Sequence, residues 1–320
     1  MEKLLFLLLP VPFAVGLLSP GAAVEPVPGT PVVAFQDSAI DESSGLVAGD
    51  GVVVTVNDSG DSNRIFTVDL TTGKTVGVTH WQGEARDIEA LAPAGPDEVW
   101  VGDIGDNATT RDHVTVSRVP YGRGERTVTA PTYELVYPDG AHDAETLLSD
   151  PATGRLYVVV KEFIGRLYAA PAKLDPDGPN RLEPVKEVLG IATDGAFFPD
   201  GEHVVLRNYG QAVVYTWPEL ERVGRFDLPA QKQGEGIAVA ADGQVLLSSE
   251  GVGAEVLRVD LPFEAAAPGE PGKPGEPAGT DGPATDRAPE AQAVWWPWAA
   301  LGGGVVVVLG TFVALARRRG

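Results

Sequence analysis

Carboxylates are the residues of this chain that carry the most chemistry, and they recur at a regular spacing. A small or acidic residue, then a small one, then an apolar one repeats as Ser44-Gly45-Leu46, Glu89-Ala90-Leu91, Glu145-Thr146-Leu147, Asp194-Gly195-Ala196 and Glu235-Gly236-Ile237, every 41 to 56 residues. Glu42, Asp87 and Asp143 stand just before three of these triplets. A second polar set follows downstream of each: Asn57, Asp58 and Asp61; Asp103, Asp106 and Asn107; Lys161 and Glu162; Arg207 and Asn208; and Glu250. Carboxylates brought close together repel, so a cluster of them needs shared protons, the cations Lys161 and Arg207, or a hard metal ion. Calcium suits these donors, because it takes six to eight oxygen ligands in loose geometry. Glu89, Glu145, Asp194, Glu235 and Glu250 are the expected metal ligands. Asp58, Asp87, Asp103, Asp106, Asn107, Lys161, Glu162, Arg207 and Asn208 are expected to form the ligand face around them. The same acids equally suit a structural role, in which they accept loop N–H groups and set the spacing of the elements. The segment Asp58 to Asn63 has a calcium-loop composition without the EF-hand spacing.

Nucleophilic catalysis has little to draw on. There is no Gly-x-Ser-x-Gly elbow, and Ser43-Ser44-Gly45 lacks an obvious partner histidine. Of His80, His113, His142 and His203, only His142 falls in a loop of the acidic set, and it is the one candidate base or histidine metal ligand.

Around each triplet the pattern is that of strands. A turn and a β-branched run follow in every unit: Gly51 then VVVTV, Pro96-Asp97 then EVWV, Ala152-Thr153-Gly154 then RLYVVV, Asp200-Gly201 then HVVL, and Asp242-Gly243 then QVLL. A third strand comes next, as RIFTVDL, HVTVSRV, RLYAAP, AVVYTW and EVLRVDL, and an outer fourth is visible in KTVGVTHW and TYELVY. Four antiparallel strands repeated at this period predict an all-β propeller, since one such sheet buries both faces only when neighbours stack around an axis. Five blades are expected, with six as the alternative; a β-sandwich has no reason to repeat the triplet. The fifth unit runs out after three strands, and the strand Val32 to Gln36 is expected to supply its fourth and close the ring. In that topology the loop before the first strand and the loop between the second and third open on one face, so both polar sets converge on one mouth of the central channel. Trp100, Tyr157 and Trp217 lie within strands and read as packing between blades.

Residues 32–263 resemble the bacterial secreted propellers grouped as WD-repeat-like, NHL-like and phytase- or esterase-like. The string VNDSGDSNRIFTVDLTTGK with RDIEAL and VGDIGDN is similar to uncharacterised actinobacterial members. The Gly-His and Trp-Asp signatures of a true WD repeat are absent. His142-Asp143-Ala144-Glu145 and Gln233-Gly234-Glu235-Gly236 are similar to acidic segments of calcium-dependent propeller phytases. That resemblance implies bridging calcium, although the basic residues of a phosphate site are not evident. A shared fold implies little about the reaction.

The flanks read as addressing and anchoring segments. Residues 1–23 hold an apolar run ending in Gly21-Ala22-Ala23, a signal-peptide pattern. Residues 264–293 form a Pro- and Gly-rich acidic linker able to extend roughly 90 Å at about 3.1 Å per residue. Residues 295–316 are almost wholly apolar and, at 1.5 Å per residue, reach about 33 Å, the length of a transmembrane helix. The basic tail 317–320 marks the cytoplasmic side and Trp295, Trp296 and Trp298 the opposite interface. The expectation is a single-pass protein of the cell membrane with an extracellular propeller. Net charge is −21, the wrong sign for a nucleic-acid partner. With no cysteine there are no disulfides or thiolate sites. A composition that favours Ala, Gly, Val, Pro and Arg suggests a high-GC Gram-positive source. The expected role is a binding or scaffold module that presents its acidic face to an envelope protein, peptide or glycan. A calcium-dependent hydrolase of phosphoesters or lactones is the alternative.

Overall fold

The β-branched runs pair as antiparallel meanders in a computed structural model that describes residues 25–263, apart from residue 59. The expected signal peptide, linker, span and tail lie outside the described residues. In chain order, β1 (Gly29–Ala34) precedes a first blade of β2 (Ser43–Ala48), β3 (Val52–Asn57), β4 (Arg64–Asp69) and β5 (Thr75–Trp81). The second blade takes β6 (Ile88–Gly95), β7 (Glu98–Asp103) and β8 (Val114–Pro120), and then, past β9 (Gly124–Val128), β10 (Thr132–Val136). The third has β11 (Ala144–Ser149), β12 (Leu156–Val160), β13 (Gly165–Ala169) and, past the short β14 (Asn180–Arg181), β15 (Glu183–Val188). The fourth is β16 (Asp194–Phe197), β17 (His203–Arg207), β18 (Gln211–Thr216) and β19 (Arg222–Asp227). The fifth is β20 (Gly234–Val239), β21 (Val245–Ser249) and β22 (Glu255–Val259). β1 pairs antiparallel with β22, from Gly29 opposite Val259 to Ala34 opposite Glu255, so the start of the propeller completes its last blade.

Five sheets stack through five separate apolar layers, each made by two neighbouring blades. Val54, Ile65 and Trp81 of the first blade meet Leu91, Val101 and Val119 of the second. Phe35, Phe66 and Val68 meet Leu246 and Val256 across the closure between the fifth and the first. Trp100 stacks edge-on against Tyr133 at 5.7 Å, and Trp217 against Tyr157 at 4.8 Å, both within these layers. The triplet repeat has a packing cause. A Cβ on Gly45 would collide with the backbone of Ala90 and Leu91 on the next innermost strand, so the middle residue must stay small where blades converge on the axis.

Two blades carry a strand the sequence pattern does not reveal. β9 and β14 arise in the connections leading to β10 and β15, but they pair in parallel with the outer strands of the preceding blades, β5 and β10 respectively. They cap edges that would otherwise expose unpaired backbone groups. Short parallel additions have no period-2 signal of their own, which is why only tertiary structure shows them. Among the described residues no helix is long and apolar enough to cross a membrane.

Candidate functional site

The loops before the innermost strands and those between second and third strands open at one end of the channel. Asp103, at the end of β7, frames the second blade's part of this mouth. Its carboxylate accepts the N–H groups of Arg86 (3.1 Å) and Asp87 (3.0 Å) and pairs with Arg111 Nη1 at 2.7 Å. Arg111 also donates to the carbonyl of Gly105, and its backbone N–H donates to Asp106 Oδ2. The Asp106 N–H in turn donates to Asp143 Oδ1 of the third blade at 2.8 Å. Arg111 escapes the sequence reading; the only trace of it there is a single cation inside an acidic loop.

This frame holds Asp87 against Asp58 and Glu89. Oxygens of the three residues lie within 4.8 Å of one another, and Asp58 is hydrogen-bonded to Glu89. Burial, followed by the charges of Glu145 and Asp58, pushes the Glu89 carboxyl up to about 11. Burial and then Asp58 raise Asp87 to about 6, and Asp87 Oδ1 is buried with no hydrogen-bond partner. Opposite stands Gly105, where a Cβ would fall on the Asp87 carboxyl. Three carboxyls, one with an unsatisfied buried oxygen, beside backbone that leaves room for them suit a hard cation. Asp58 and Asp87, expected on the ligand face, are therefore the residues grouped with Glu89.

Glu145, on β11, pairs with Lys161, whose ammonium also lies 5.5 Å from the centre of the Tyr209 ring. Burial raises the Glu145 carboxyl to about 8 even though Lys161 opposes it. Burial would lower Lys161, but its bonds to Glu145 and then to Tyr209 raise it overall. Glu235, on β20, accepts from Gln233 at 3.2 Å and is raised to about 7 by burial, against that bond and Lys161. Glu250 accepts from the same Gln233 amide at 2.5 Å and is raised by burial, then by Asp58 and Glu42. Glu145 Oε2 and Glu235 Oε2 are both buried without a partner. Carboxylates of four blades thus act on one another across the mouth.

Asp194, expected with the metal ligands, has both oxygens engaged by backbone. Oδ2 accepts from Leu46 N (3.2 Å) on the first blade and Ile237 N (2.8 Å) on the fifth, and Oδ1 from Gly195 N (2.8 Å). Burial holds this carboxyl well above its ordinary value, against the three N–H groups and Arg207. Arg207 is wholly buried and donates to the carbonyls of Asn208, Gly236 and Ser248 and to Gln231 Oε1. Burial lowers it to about 10, against Glu235 and Asp194. These two residues join the fourth blade to its neighbours.

His142 lies apart in the third blade's corner of the mouth. Its Nδ1 is 2.7 Å from Glu162 Oε1 and its Nε2 3.1 Å from Asp139 Oδ1, with Tyr137 and Tyr168 packed around the ring. Both nitrogens are engaged by carboxylates. Asn208 closes its own turn by accepting from Gly210 and Gln211, and Asn107 is exposed. The other end of the channel is chemically different, with a cavity of about 610 Å³ lined largely by apolar residues such as Leu46, Leu91, Leu147, Phe197 and Val239.

Fold and site together define a five-bladed β-propeller with an acidic channel mouth. No family model and no curated protein matches the chain. Among solved structures it is similar to one from Bacteroides uniformis, named as a candidate 6-phosphogluconolactonase. Identity is 15%, 68% of this chain and 67% of that one are covered, and the TM-score is 0.38.

Proposed function

We propose that this protein is a membrane-anchored extracellular propeller that serves as a binding module of the cell envelope, with the acidic mouth as its ligand site. One observation carries the reading. Asp87 Oδ1, Glu145 Oε2 and Glu235 Oε2, from three blades, are buried without a partner at that mouth, whereas both oxygens of Asp194 accept backbone N–H groups. Buried carboxylates are normally hydrogen-bonded, and groups held otherwise mark places where stability has yielded to binding. The nucleophile candidates are engaged elsewhere: Ser43 Oγ bonds Thr55 and Ser44 Oγ bonds the carbonyl of Glu89.

The test needs no ligand in hand. At pH 8 Asp87→Asn removes a charge held above its ordinary value and should raise the melting temperature by about 3 °C. Glu89→Gln replaces a carboxyl already protonated at that pH and should leave the melting temperature unchanged. If both substitutions lower it, the cluster is an internal strut and the reading fails.

The Asp58, Asp87 and Glu89 grouping favours a second reading, a calcium-dependent hydrolase of phosphoesters or lactones. Calcium there would be held by Asp58, Asp87 and Glu89, displacing the proton from Glu89, and would polarise a substrate oxygen. Millimolar calcium should then raise the melting temperature by several degrees over chelator, and the full chain should hydrolyse phosphoesters or lactones only with calcium present.

A further inference from the structure

Large apolar side chains left in water gather on the same face as the acids. Phe163 (89% exposed) and Ile164 (56%) sit between β12 and β13, Tyr209 between β17 and β18, Val252 (66%) between β21 and β22, and Ile191 leads into β16. All five belong to mouth loops of the third, fourth and fifth blades. The remaining large exposed apolar residues among those described, Val32, Val185 and Val223, sit on outer strands. Ile191 has a φ of 54°, a conformation β-branched residues avoid, and its N–H is tied to the carbonyl of Glu162 beside Phe163. Next to Val252 and Glu250 lies a cavity of about 420 Å³, also lined by Gln231, Lys232 and Leu257.

Such a rim has no use for a hydrated metal ion, whereas a polypeptide would cover it. Charge decides which polypeptide. The mouth already shows how it holds an ammonium, for Lys161 lies between the Glu145 carboxylate and the Tyr209 ring. Across the opening, oxygens of Asp58, Asp87 and Glu89 lie within 4.8 Å of one another. An ammonium carries three donors, matched here by the Asp58 and Asp87 carboxylates and the carbonyl oxygen of the Glu89 carboxyl. Glu145 and Glu235 are each about 95% buried, at 5% and 4% exposure, and add unpartnered oxygens to the same mouth.

We infer that the acidic mouth takes a lysine side chain from an extended polypeptide whose neighbouring apolar residues rest on Phe163, Ile164 and Val252. The inference rests on the reading that this mouth is a ligand site and names the chemistry of its partner. The test is selection of a random heptapeptide phage library on the full chain, followed by affinity measurement on synthetic peptides drawn from the selected pool. Lysine flanked by apolar residues should be enriched at least tenfold. Replacing that lysine with norleucine should weaken binding at least tenfold, as should Asp87→Asn. Phe163→Ser, at a side chain too exposed to matter for folding, should weaken binding several-fold at an unchanged melting temperature. Enrichment without lysine, binding that Phe163→Ser leaves intact, or binding that requires added calcium and survives the norleucine exchange would each overturn the inference. Those outcomes would leave the ligand site itself standing if Asp87→Asn still stabilises the protein; a fall in melting temperature would remove both.

Discussion

Two carboxylates of the same repeat, Asp194 and Asp87, do opposite things because of what faces them. Asp194 receives three backbone N–H groups from three blades, so both of its oxygens are bonded. Asn in its place would turn an amide N–H toward either Gly195 N or the Leu46 and Ile237 N–H pair. Asp194→Asn should therefore destabilise the protein by about 2–4 kcal/mol in equilibrium urea unfolding, where Asp87→Asn stabilises it. Arg207→Met should cost at least as much, since it leaves the buried carbonyls of Gly236 and Ser248 without their donor and removes a buried cation that acts on Glu235 and Asp194.

At the level of elements, the ring depends on close approach at the axis and on one latch at the rim. A valine at position 45 would press into the backbone of Ala90 and Leu91, which cannot move without disturbing the ladder between β6 and β7. Gly45→Val is expected to lower the melting temperature by more than 10 °C, read by near-ultraviolet circular dichroism. The latch is β1. Without residues 29–34, β22 presents an unpaired edge, a template for a second chain. A chain lacking them should elute as a dimer or larger species at concentrations where the full chain is monodisperse. An unchanged elution volume would show that the last blade is stable with three strands.

The molecule as a whole carries its charge unevenly, and pH should reveal it. Asp87, Glu235 and Glu145 have folded-state values raised to about 6, 7 and 8. The folded state therefore holds protons that the unfolded chain has released, and stability falls as pH rises from about 4.5 toward each raised value. Each group subtracts up to about 1.4 kcal/mol per pH unit over its interval. Asp139, held below its ordinary value despite burial by Tyr168 and His142, works the other way: its contribution is present above pH 4 and lost in acid. Stability should thus peak near pH 5 and decline toward pH 8 in urea titrations. A cation bound at the mouth, whether calcium or an ammonium, competes with those protons and should flatten the decline. A flat profile without any ligand would mean that the carboxyls are matched inside the protein.

The repeat of strands, turns and acid-bearing triplets was legible because each blade is a local unit with its own period-2 pattern and Gly-containing turns, and because only a propeller lets five such units bury both faces. That much follows from local sequence, as does the convergence of Glu89, Glu145 and Glu235 at one mouth. What no spacing reveals is the partner of each acid. Asp194 and Glu235 occupy the same triplet position, yet backbone N–H groups from two other blades meet the first while an oxygen of the second meets none. β9 and β14 were equally invisible, since their partners lie in the preceding blade, and Arg111 was hidden because its pairing with Asp103 depends on how the β7–β8 loop folds back on itself. Sequence by itself determined the architecture and the face on which charge collects. Tertiary structure decided which charges are satisfied, because satisfaction depends on groups brought within 3.2 Å from positions as far apart as residues 46, 194 and 237.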